Sequence, residues 1–195
     1  MTEDADLGLR LAREGFGVGD LPSSTHEEAP ARLRPWMRQR TRWLKGLMQT
    51  CITHTRHPWR TARAMGAAPF ACSLALSVGT VLTALFGPAF FGLALHDLAR
   101  GRLETPGSMA GVAAASFSIV LLLTGLAGIL VPAIVGMRRR GLGHLAPWLL
   151  LQPFYFALVT LAAWRALAEL VRAPQHWHKT EHGLARSSRR RRVTT

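Results

Sequence analysis

Residues 68–95 read APFACSLALSVGTVLTALFGPAFFGLAL, and no aspartate, glutamate, lysine or arginine interrupts the chain between Arg63 and Asp97. A helix needs roughly 20 predominantly apolar residues to cross the hydrocarbon core of a bilayer, and this run is long enough. Two further runs meet the same test, between Glu104 and Arg138 and between Arg140 and Arg165. The chain therefore reads as a mainly α-helical integral membrane protein. Of its 195 residues 49% are hydrophobic, yet its formal net charge is +13, which fits neither a disordered tail nor an ordinary soluble enzyme core. Residues 1–60 are polar and hold no short apolar stretch after a basic start, so no signal peptide is expected. Cys51 lies in the polar part and Cys72 in the first apolar run, a placement that suggests no disulfide framework.

The three runs differ in kind. The first and the second, MAGVAAASFSIVLLLTGLAGILVPAIVG at 109–136, carry small residues at close spacing, which lets helix backbones approach each other in lipid. Pro88 and Pro132 are expected to kink them. In the third, APWLLLQPFYFALVTLAAWRALAELVRAP at 146–174, Gln152 and Pro153 interrupt the start, and Arg165 and Glu169 follow on the same helix. Trp148, Tyr155 and Trp164 read as interface residues, so this run is expected to be an interfacial or re-entrant helix, with a third span as the alternative.

Arginine placement sets the orientation. Arg56, Arg60 and Arg63 precede the first span and Arg138, Arg139 and Arg140 follow the second, while the link between them balances Arg100 and Arg102 against Asp97 and Glu104. The positive-inside rule puts residues 1–64 and the triple arginine on the cytoplasmic side. If the third run lies in the interface, the tail RSSRRRR at 186–192 is cytoplasmic as well. That tail reads as an anchor on anionic lipid rather than a nucleic-acid site.

Two polar stretches carry candidate chemistry. MTEDADLGLRLAREGF at 1–16 is a helix start: Thr2 is a good N-cap, Glu3 and Asp4 sit where the helix dipole favours negative charge, Leu7 and Leu11 are four apart, and Gly15 supplies the stop. LRPWMRQRTRWLKG at 33–46 places Gln39, Arg42 and Trp43 at i, i+3 and i+4 on one helix face. An arginine fork can clamp a diphosphate and an indole can lie flat on a sugar ring. The same spacing also suits a juxtamembrane helix with Trp43 at the headgroups and the arginines on anionic lipid.

TED opening a helix, a glycine stop, EEAP at 27–30, QRTRW of QxxRW form followed by Lys45 and Gly46, and then apolar helices resemble the membrane-integrated family 2 glycosyltransferases, which include the cellulose and hyaluronan synthases. AAWRALAELVRAPQHWHKTEHG at 162–183 is similar to the interfacial helix and gating loop of that family. The resemblance implies a division into residues 1–64, the C-terminal remnant of an α/β catalytic domain of GT-A type with the TED and QRTRW helices; 65–137, two transmembrane helices; 138–172, a basic loop and the interfacial or re-entrant helix; and 173–195, a gating-like loop and basic tail.

The implied activity is inverting, hexosyltransferase-like transfer from a nucleotide-sugar to a glycan or lipid-linked acceptor, as in polysaccharide biosynthesis. Its implied location is the cytoplasmic face of a bacterial-type inner membrane. Asp4 would be the general base, Glu3, Gln39 and Trp43 would hold substrate, and Arg42 would steady the leaving diphosphate. Trp177, Lys179, Thr180 and His182 would sit on the gating loop. No metal site is expected from His176, His178 and His182, because no carboxylate or cysteine is arranged with them.

Upstream of TED, family members carry a nucleotide-binding half with an Asp-x-Asp pair that grips the nucleotide and its Mg or Mn ion. The resemblance thus implies that residues 1–195 form the C-terminal portion of a transferase. Taken alone, these residues are expected to bind no cofactor and to transfer no sugar unless the donor-binding half comes from the same reading frame or a separate chain. Expected partners are the nucleotide-sugar, the glycan acceptor and membrane lipids, with no nucleic acid. A catalytically silent membrane anchor or channel-forming subunit is the alternative.

Overall fold

The computed structural model describes residues 3–19, 21, 23, 29–99 and 108–175. They form α1 (Glu3–Arg13), α2 (Leu33–Thr55), α3 (Pro58–Met65), α4 (Ala67–Ala99), α5 (Met109–Arg139), a 3-10 helix (Gly143–Leu151) and α6 (Gln152–Arg172). No strand occurs among the described residues, so the implied α/β remnant is not seen there. Helix α1 stops where the glycine demands it: Gly15 has φ of +83°, a conformation with little steric cost only for glycine.

Two compact units divide the chain, Met1–Gly87 with Leu158–Thr195, and Pro88–Ala157. In the first, α2 buries Thr41, Leu44, Lys45 and Met48, a stripe at i, i+3, i+4 and i+7 that defines one helix face. That stripe belongs to a core shared with Ala84 and Leu85 of α4 and with Ala162, Ala163 and Ala166 of α6. The three alanines are fully buried, and their small side chains let the backbone of α6 lie close to its neighbours. Trp164 closes the same contact. Its Nε1 donates to the Leu85 carbonyl at 3.2 Å, and its ring meets Phe86 edge-on at a centroid distance of 5.9 Å. The indole read from sequence as an interface residue thus also bonds α4.

The C-terminal end of α6 is capped from α2. Lys45, 1% exposed, donates from Nζ to the Ala173 carbonyl at 2.7 Å, and Gln49 donates to that of Pro174 at 3.1 Å. The last carbonyls of a helix lack intrahelical partners and carry the negative end of its dipole, so a buried ammonium there is stabilising.

In the second unit the 3-10 helix packs on α5. The interruption expected at Gln152 and Pro153 is a change of helix type, since the 3-10 helix gives way to α6 at Gln152. Pro88 and Pro132 both lie inside their helices. Among the described residues, Ala67–Leu93 and Gly143–Arg172 are long and apolar enough to cross a membrane, at mean hydropathies of 1.8 and 1.6. By length and composition the third apolar run therefore qualifies as a span as readily as the first.

Candidate functional site

Helix α1 turns its two aspartates in different directions. Residues two apart on a helix point about 200° away from each other. Asp4 is exposed, while the Asp6 side chain is 13% exposed and faces α2. Asp6 accepts from Arg10 Nε at 2.7 Å through Oδ2, and its Oδ1 lies 2.9 Å from Nε2 of His54, a histidine only 4% exposed. Burial alone would push the Asp6 carboxyl up; the hydrogen bonds from Arg10 and His54 and their charges outweigh it and hold its pKa below the ordinary carboxylate value.

His54 also ties in α3. Thr61, 3% exposed, has its hydroxyl 3.2 Å from the carbonyl oxygens of both His54 and His57, so one proton is shared between them. Helices α1, α2 and α3 consequently meet around His54.

The Gln39–Trp43 segment lies further toward the start of α2. Gln39 and Trp43 fall opposite the buried stripe and Arg42 on its flank, by the 100° step of the helix. Gln39 and Arg42 are half-buried and Trp43 is 40% exposed. The guanidinium of Arg40 stands over the Trp43 ring at 4.9 Å and the Trp36 ring at 5.7 Å, holding both indoles along one edge of the helix. The amide, guanidinium and indole thus share a face turned away from the core.

Helix α1 meets α2 through Asp6 at His54, and about 17 Å of helix axis separates His54 from Trp43. Glu3 opens α1, and its side chain lies outside the described residues, as do Trp177, Lys179, Thr180 and His182.

Asp6 and His54 escaped the sequence reading, although the Asp6 and Arg10 spacing of four was a visible signal. Asp6 already accepts from Arg10 and His54, which makes it a poor ligand for a divalent cation. Among the described residues no group of three His, Cys, Asp or Glu side chains could hold a metal. An open recess of about 200 Å³ lies among Met48, Cys51, Val81 and Leu167. Its lining is apolar, which suits no phosphate or sugar, and burial pushes the Cys51 thiol pKa up.

The family model for glycosyl transferase family group 2 matches residues 1–167, a stretch that contains both the TED and the QRTRW segments. No curated protein and no solved structure matches the chain.

Proposed function

This chain belongs to glycosyl transferase family group 2, and from that premise we propose that it acts in inverting, membrane-integrated glycosyl transfer. It moves a sugar from a nucleotide-sugar to a glycan or lipid-linked acceptor at the cytoplasmic face of a bacterial-type inner membrane. The observation that carries this reading is the family match itself, which runs through both motif helices and most of α6.

Chemically, the Asp4 carboxylate takes the proton of the acceptor hydroxyl as that oxygen attacks the anomeric carbon of the donor. The bond from that carbon to the diphosphate breaks on the opposite face, and the nucleoside diphosphate leaves with the electron pair. Exposed Asp4 is available for such contact, whereas Asp6 is committed to Arg10 and His54. Gln39 donates to acceptor hydroxyls, and Trp43, with Arg40 over one face, offers its other face to a sugar ring. Arg42 meets the charge that grows on the diphosphate.

Positive potential supports that last role. Between Ala29 and His96 the chain has arginines at 32, 34, 38, 40, 42, 56, 60 and 63 and Lys45, with no carboxylate. A general base must come within about 2.6–3.2 Å of the proton's oxygen.

The experiment is a transfer assay on membranes holding the protein expressed from its own gene, supplied with labelled nucleotide-sugars. Labelled glycan or glycolipid supports the reading. Absence of product with every nucleotide-sugar favours the silent anchor or channel subunit.

A further inference from the structure

Helix α3 is short, and its burial pattern orients it. Thr61 is its buried residue and faces the carbonyls of His54 and His57. At 100° per residue, Trp59 and Arg63 point nearly opposite to Thr61, with Arg60 beside them; Arg56 precedes the helix. All four are exposed, Trp59 at 82%. An indole and two guanidiniums thus stand on one side of an eight-residue helix, with a third exposed guanidinium, Arg56, two residues before it, all far from any carboxylate in sequence.

The place of α3 in the chain decides what this face meets. Its C-cap, Gly66, has φ of +92°, which L side chains rarely adopt, and a Cβ there would lie 3.4 Å from Pro69 Cδ. Gly66 is the elbow into α4, whose residues Ala67–Leu93 are long and apolar enough to cross a membrane. Only this one residue separates the two helices. Wherever α4 enters the bilayer, α3 is therefore held at the depth of the headgroups.

From this geometry we infer that α3 with Arg56 is a docking surface for anionic phospholipid headgroups, Trp59 entering the interface while Arg56, Arg60 and Arg63 bind lipid phosphates. The inference rests on the membrane reading of α4 given above and adds a named surface and a lipid class to it. The charges are complementary, and arginine and tryptophan are the side chains suited to that depth. Docking here also fixes the platform against which His54 holds α1, because Thr61 and Asp6 both meet His54.

The test uses the full chain in nanodiscs carrying brominated acyl chains, made either of phosphatidylcholine alone or with phosphatidylglycerol added. Trp59's own signal is the difference between wild type and Trp59→Phe. It should be strongly quenched by bromine and shielded from aqueous iodide in the anionic discs. It should be less quenched in neutral discs or with Arg56, Arg60 and Arg63 all changed to Gln. Each arginine removed should weaken docking on the order of fivefold. Unchanged circular dichroism of the triple variant shows that the loss is not unfolding.

Trp59 open to iodide in anionic discs, or quenched equally whatever the lipid charge, would overturn the inference while leaving the membrane reading intact. A chain that fails to enter discs at all overturns both.

Discussion

Oδ1 of Asp6 lies 2.9 Å from Nε2 of His54, and this contact fastens the helix that opens with Glu3 and Asp4 to the far end of the helix that carries Gln39, Arg42 and Trp43. The two candidate motifs are therefore joined by residues that belong to neither. Removing one partner leaves the other largely buried with an unmet charge or donor, which typically costs about 1–3 kcal/mol. Asp6→Asn and His54→Leu should each release α1, seen as faster amide exchange at residues 5–13 with α4 protection unchanged. Exchange in α1 that stays at the wild-type rate would show that the pair holds nothing.

The same contact makes the helix acid-sensitive. Arg10 and His54 hold the folded pKa of Asp6 below the ordinary carboxylate value, so its stabilisation is fully present above that ordinary value and is lost as pH falls through the lower folded value. Amide protection of α1 should therefore be flat from neutral pH to about the ordinary carboxylate value and collapse below it, and Asp6→Asn should remove that step. A wild-type profile without an Asp6-dependent acid limb would contradict the ion-pair assignment.

Lys45 should matter more than an ordinary basic residue near a membrane. Its Nζ donates to the Ala173 carbonyl from a position 1% exposed, so Lys45→Met removes a charged hydrogen bond from the C-terminal end of α6. A loss of about 1–3 kcal/mol is expected, together with faster proteolysis after Ala173. Arg38→Met, at an exposed position earlier in the same helix, should change neither.

Topology supplies an independent prediction. Cysteine labels near Ser24 and Ser187 should react from the same side of the membrane and one near Ser108 from the other, by the arginine distribution. Because Gly143–Arg172 is itself long enough to cross, this measurement decides how that stretch lies. Labelling at Ser187 from the side that labels Ser108 would establish a third span and contradict the cytoplasmic placement of the tail.

What could be read in the sequence follows the range of the interactions. The helices of the apolar runs, the stop at Gly15, the break at Gln152 and the shared face of Gln39, Arg42 and Trp43 are local. Composition, a glycine φ or the 100° step determines each of them. Asp6 with His54, Lys45 with Ala173 and Trp164 with Leu85 are 48, 128 and 79 positions apart, and no periodicity announces such pairs. Trp164 shows the cost of the local view. Its type and place at the end of an apolar run suggested the membrane interface, and nothing local showed that its N–H also bonds the Leu85 carbonyl. For Asp4, sequence order alone did not show that its helix meets α2 at His54, through Asp6.

The central claim is that Asp4, exposed on α1 beside a committed Asp6, is the catalytic base. Its most direct test compares Asp4→Asn and wild type in the protein expressed from its own gene, measuring sugar transfer and nucleotide affinity on the same membranes. Asp4→Asn should lower turnover by about 10²–10⁴-fold, the usual worth of a general base, while nucleotide affinity and α1 protection stay near wild type. Turnover of Asp4→Asn close to wild type would make Asp4 a first-turn dipole residue and contradict the account.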